Sequence, residues 1–137
     1  KNEEKFIKDA IKSAQFADEV LVLDSNSEDK TCQLARQLGA KVEIHDWEGF
    51  GPQKNLGIRL ARNDWVFVLD ADERITNDLK SEINTVLENP SSNGYVVPRL
   101  NRFFGKDIKT CGLFPDYSLR LFDKKTVVDL NKSIPPT

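Results

Sequence analysis

Apolar and polar positions along this chain follow two periods. Phe6, Ile7, Ala10, Ile11 and Ala14 recur at helical spacing, and Asn2, Glu3 and Glu4 ahead of them read as a cap and acidic first turn. "EVLVLD" (19–24) is a short apolar run, the pattern of a strand buried on both faces. "SNSEDKT" is a turn into a second helix, which carries Cys32, Leu34, Ala35 and Leu38 and stops at Gly39. "AKVEIHD" predicts a more polar strand, and "EGFGPQKN" a loop that leads into a helix through Leu56, Leu60 and Ala61. "WVFVL" (65–69) is the next buried strand. The following helix has Thr76 as N-cap, with Leu79, Ile83, Val86 and Leu87 facing inward. "YVVPRL" and "SLRLFD" predict the last two strands.

Strands separated by helices imply an α/β domain with a mainly parallel sheet. Right-handed crossovers place the strand C-terminal ends on one edge, where open sheets bind ligands. Asp24, Asp70 and Asp72 fall at such ends. A length of 137 residues fits one domain. The chain opens at a helix start, where a doubly wound domain opens with a strand, so it reads as incomplete at both ends.

Composition narrows the function. The net charge of −2 gives no basic footprint for nucleic acid. No apolar run has membrane-spanning length, and no secretory signal is present. Cys32 and Cys111 lack metal spacing and read as free thiols, and His45 stands outside any ligand cluster. Trp47 and Trp65 read as core residues.

The densest chemistry follows the strand at 65–69, in "LDADER". In continued strand geometry Asp70 and Asp72 share a face, with Cα atoms roughly 6–7 Å apart. Two carboxylates that close repel unless a cation offsets them. Mg²⁺ or Mn²⁺ shared with a diphosphate does so with hard oxygen ligands. The alternative is a solvated strand end whose acids favour the helix N-terminus near Thr76. An EF-hand loop starting at Asp70 fails at Arg74 and Ile75. A phosphatase of the haloacid dehalogenase type also opens on Asp-x-Asp, but fits poorly with Arg74 in its Thr/Val place.

Three stretches stand in order: "VLVLDSNSEDKT", "GFGPQKNLGIRLARNDWVFVLDADE" and "CGLFPDYSLRLFDK". Together they resemble the inverting family 2 glycosyltransferases of GT-A, Rossmann-like fold. The branch most similar adds sugars, often glucose, to lipopolysaccharide core. The resemblance implies a single domain over 1–137, with a nucleotide-sugar half (1–75) and an incomplete acceptor half (76–137). It implies a UDP-sugar donor, a divalent cation, and a glycan or lipid-linked acceptor. It also implies work in the cytoplasm, peripheral to the inner face of the bacterial inner membrane.

The family's roles transfer to matching positions. Asn2, Glu3 and Glu4 resemble the end of the Asn-Glu-Glu box. Asp24 matches the acid that receives the uracil N3–H, with Ser25 and Ser27 as further polar contacts; a helix N-cap, alone or besides, is its alternative role. Lys54 matches a basic residue near the nucleotide, able to pair with phosphate or Asp70. Asp70 and Asp72 match the DXD motif: Asp72 for the metal, Asp70 for ribose or metal. Glu73 supports them or starts the helix. Asp116 is the candidate base that deprotonates the acceptor hydroxyl. Apart from the resemblance, alternation with Leu119 and Leu121 makes Arg120 either a phosphate contact pointing into the cleft or an ordinary surface arginine, and Arg99 and Arg102, flanking "LN" after a strand, are candidates for acceptor contacts. The family's His-Glu pair after "RLF" is missing after Phe122. A non-catalytic nucleotide-binding module or an inactive fragment is the alternative function.

Overall fold

The computed structural model describes residues 1–98 and 117–127. The order is α1 (Ile7–Ala14), β1 (Leu21–Asp24), α2 (Thr31–Gln37), β2 (Lys41–Ile44), α3 (Phe50–Leu60), β3 (Trp65–Phe67), α4 (Asn77–Glu88), β4 (Gly94–Pro98), β5 (Tyr117–Asp123) and α5 (Lys124–Val127). β1 and β2 pair in parallel across α2, as a βαβ unit must. β3, β5 and β4 form a three-stranded sheet in that order, and both of its ladders are antiparallel. The α/β layering expected from the pattern is present. The parallel share is smaller than expected, because β5 arrives from downstream and inserts between β3 and β4.

Local chemistry explains several boundaries. Gly39 adopts φ +87°, donates to the Arg36 carbonyl, and lets Ala40 N–H reach the Ala35 carbonyl. That double closure ends α2 on a left-handed glycine. Thr76 caps α4 by accepting the Leu79 N–H at 3.2 Å. The cap expected at Asn2 is absent: α1 begins at Ile7, and Phe6 offers no side-chain cap. "GFGPQKN" is not a loop. α3 already begins at Phe50, and Pro52 is tolerated because first-turn N–H groups need no helical acceptor. Gly49 stands ahead of it at φ +110° and ψ 168°, a region essentially closed to side chains. Gly49→Ala should therefore destabilise the fold by about 1–3 kcal/mol through backbone strain. Crowding is not the cause, because the nearest atom to an added Cβ is Pro52 Cδ at 3.7 Å. A denaturant midpoint equal to wild type would refute this.

Three apolar clusters hold the layers. Ile7, Ile11, Ala35 and Ala40 form the first, with Val20, Val22 and Val42 against them. Ile58 and Phe122 form the second, with Val66, Val68 and Leu119. Ile75, Ile83 and Leu121 form the third, with Trp65, Phe67, Leu69, Leu79 and Val86. Period two thus holds from Trp65 to Leu69. Leu87, expected inward, is 36% exposed, and Trp47, expected in the core, is 52% exposed with its ring edge-to-face on Phe50 at 4.9 Å.

Candidate functional site

The apolar alternation of β3 ends at Leu69, and a tight turn follows. Glu73 N–H donates to the Asp70 carbonyl at 3.0 Å, and Asp70 N–H donates to Glu73 Oε1 at 3.2 Å. Asp70 and Asp72 are therefore brought together by a turn and not by strand period, which corrects the reason given for their proximity. Ala71 at the tip packs on the first cluster, and Ile75 beyond it is buried in the third. Asp70 and Asp72 stay half-buried.

Glu73 anchors this turn. It is fully buried, and Arg120 is 4% exposed. Arg120 Nη1 donates to Glu73 Oε1 at 2.7 Å and Nη2 to Oε2 at 3.2 Å, a two-pronged contact. Nη1 also donates to the Val68 carbonyl at 3.2 Å. Burial pushes the Glu73 carboxyl above its ordinary range, and the Arg120 guanidinium pulls against that rise.

The expected phosphate contact from Arg120 gives way to this ion pair. The reason is a break in the alternation of β5. On β4, Tyr95 faces Leu121 and Val96 faces Leu119, so Arg120 is an extra residue. Such a bulge turns a side chain off the strand's normal alternation. Leu119 and Leu121 accordingly enter different clusters. Of the two roles expected for Glu73, support of the turn is the one the geometry shows.

Lys54, on α3, lies within electrostatic reach of this group. Burial pushes its ammonium below the ordinary value, Arg120 adds to that, and Asp70 and Glu73 oppose it. Glu3 lies within electrostatic reach of Asp72. Burial raises its carboxyl, and the charges of Asp72 and Asp29 raise it further.

The N-terminal segment is held against the loop after β1. Asn2 N–H donates to Ser27 Oγ at 2.8 Å, and Glu28 N–H donates to Asn2 Oδ1 at 2.9 Å. Glu3 N–H donates to Thr31 Oγ1 at 2.8 Å, and Glu4 N–H to Asp29 Oδ2 at 3.2 Å. The "NEE" residues thus tie the N-terminal segment to the 27–31 loop and do not cap a helix.

Asp24 is 2% exposed. Its Oδ2 accepts the Ser27 N–H at 2.8 Å and its Oδ1 the Ser27 hydroxyl at 2.6 Å. α2 starts only at Thr31, so Asp24 closes the loop and does not cap the helix. Burial raises its carboxyl, but the Ser27 hydroxyl and N–H and the Cys32 thiol outweigh that and leave it below the ordinary value of 3.8. A carboxyl lowered in the folded state stabilises above its unfolded pKa, and that contribution is lost as pH falls through the folded one. Asp24→Asn should destabilise by about 2 kcal/mol at neutral pH. The gap to wild type should close below the ordinary value of 3.8. Urea titrations at both pH values test this, and a gap that persists in acid would sink it.

Sequence reasoning missed Gln53. Its Nε2 donates to Ser25 Oγ at 3.1 Å and to the Leu23 carbonyl at 3.4 Å, which ties α3 to the end of β1. Its Oε1 is a buried acceptor with no hydrogen-bond partner among the described residues. The available signal was spacing: Gln53 precedes Lys54 and shares a helical face with Gly57, which packs near Leu23. The 29–31 contacts to Glu3 and Glu4 were also missed. Asp116, Arg99, Arg102 and Cys111 lie outside the described residues.

Among the described residues no group of three or more His, Cys, Asp or Glu is arranged to hold a metal ion. Asp70 and Asp72 supply two hard oxygen donors on one turn. That set fits a divalent cation whose remaining oxygens come from diphosphate and water.

Lys54 of α3 thus lies within electrostatic reach of Asp70, and Glu3 within that of Asp72. The chain belongs to Glycosyl transferase family 2, whose profile matches residues 1–133. It is 35% identical over 129 residues to an uncharacterised glycosyltransferase of Rickettsia typhi, covering 91% of this chain and 44% of that protein. It is 28% identical over 91 residues to the lipopolysaccharide core biosynthesis glycosyltransferase LpsC of Rhizobium meliloti, covering 63% and 34%. The crystal structure of S. aureus TarS 1–349 superposes with a TM-score of 0.63 at 19% identity, over 95% of this chain and 46% of that one. The fold is thus of the GT-A type. The chain spans less than half of these curated relatives.

Proposed function

We propose that this chain is a glycosyltransferase domain that transfers, with inversion, a sugar, glucose by preference, from a UDP-linked donor to a lipopolysaccharide-core or other glycan acceptor. The 70–73 turn carries this reading, because it holds the half-buried Asp70 within electrostatic reach of Lys54 and Asp72 within that of Glu3. Asp72 and Asp70 would hold Mg²⁺ or Mn²⁺. The cation supplies charge neutralisation to the departing diphosphate. Lys54 adds positive charge on the same side. Asn2, Glu3, Glu4, Ser25 and Ser27 wall the nucleotide pocket. Asp24 would meet a uracil N3–H only with oxygens that already hold Ser27. Asp116 keeps the role of base toward the acceptor hydroxyl. The lipopolysaccharide-core acceptor is supported by the likeness to LpsC. Among the described residues no helix is long and apolar enough to cross a membrane. Peripheral attachment at the inner face of the bacterial inner membrane is the proposed location.

The test is consumption of UDP-glucose by the full-length protein, with Mn²⁺ and a deacylated core oligosaccharide, read by chromatography. Transfer product of inverted configuration is the expected result. UDP binding without consumption of any UDP-sugar would favour a non-catalytic module. Hydrolysis of an aryl phosphate dependent on Asp70 would point to a phosphatase.

A further inference from the structure

Within a buried site, one ion pair is not explained by stability. Glu73 and Arg120 are sealed from solvent, and burying two charges seldom gains more than well-packed apolar residues of similar volume. The bonds of the pair instead converge on one piece of backbone. Glu73 Oε1 receives both Arg120 Nη1 and the Asp70 N–H, and Nη1 also holds the carbonyl of Val68. Val68 and Asp70, on either side of Leu69, are thereby fixed to the two members of one ion pair, Val68 to the guanidinium and Asp70 to the carboxylate. The other end of the turn is held differently, by Ala71 against the first cluster. Loss of the pair removes the side-chain hold on Val68 and Asp70 and leaves the turn to Ala71 and to the backbone bonds Val68 N–H to Arg120 carbonyl and Glu73 N–H to Asp70 carbonyl.

We propose that Glu73 and Arg120 are positioning residues, whose buried pair sets the pose in which Asp70 and Asp72 hold a cation against the donor diphosphate. The inference rests on the metal reading above. Residues that orient metal ligands through hydrogen bonds are worth roughly tenfold to hundredfold in metal affinity or activity. The bulge at Arg120 is the backbone device that delivers the fork to the turn.

The experiment is calorimetric titration of UDP into the full-length protein, with and without Mn²⁺, below the melting temperature of each variant. Wild type, Asp72→Ala, Glu73→Gln and the apolar double variant Glu73→Leu/Arg120→Met are compared. The double variant removes both charges together, so stability and positioning separate. It should keep its metal-free UDP affinity and lose roughly tenfold to hundredfold of the tightening that Mn²⁺ gives wild type. Glu73→Gln should lose part of the same tightening, and it serves alone if the double variant does not fold. Wild-type tightening in a folded double variant, or in Glu73→Gln where the double variant does not fold, overturns the positioning role. Wild-type tightening in Asp72→Ala, or none in wild type, overturns the metal reading and the inference with it. Loss in Asp72→Ala with full retention in the double variant overturns the inference only.

Discussion

Arg120→Met should destabilise the protein by about 3–5 kcal/mol, because it leaves the Glu73 carboxylate buried without its guanidinium partner. That is a large part of the 5–15 kcal/mol roughly available to a domain. Methionine fills much of the same space, so a cavity is not the main cause. The loss comes from the charge left behind at a side chain with no exposed surface. The cure is correspondingly specific. Adding Glu73→Leu should restore most of the stability, since the pair then vanishes as a unit. Urea unfolding of both single variants and the double measures the coupling. A loss under about 1 kcal/mol for Arg120→Met, as at a surface ion pair, would show that the pair is wet.

Asp72→Ala should lower sugar transfer by on the order of a hundredfold, chiefly in kcat. The reason is timing: negative charge on the diphosphate grows as the sugar departs, so a lost cation is felt most in the transition state. The fold should be little disturbed, because Asp72 is half-buried and the turn is held by its neighbours Ala71 and Glu73. The measurement is steady-state transfer by the full-length protein across a Mn²⁺ titration. Wild-type turnover with unchanged Mn²⁺ dependence would remove Asp72 from the metal.

The sequence showed those features whose causes are local. Gly39 ends α2, Thr76 starts α4, and the apolar alternation of 65–69 sorts into two clusters as period two requires. That Asp70 and Asp72 follow directly on the apolar run of 65–69 was also legible, although strand spacing stood where a turn operates. What escaped depends on distant partners. Glu73 meets Arg120 across a separation of 47 residues, and no window along the chain contains both. Asp24 read as an open acceptor, because nothing in "LDSNS" reveals that Ser27 folds back onto both oxygens. Gly49, Gly51 and Pro52 suggested a loop, yet Gly49 is the residue just before α3 and the other two lie in its first turn. Trp47 and Leu87 read as core by residue type, and their exposure follows from what happens to pack nearby.

The bulge in β5 has a consequence for how the chain is spelled. Leu119 joined directly to Leu121 would make a more regular strand. Leu119 would then stand opposite Val68, on the face it already shares with Ile58 and Phe122. Leu121 would keep Phe67 and Tyr95, and both ladders would run without a gap. In the grammar of the β4–β5 ladder, Arg120 is therefore a spare letter. β5 carries one residue more than its pairing with β4 needs, and the surplus residue, whose carbonyl still accepts the Val68 N–H, is the one that reaches the acidic turn.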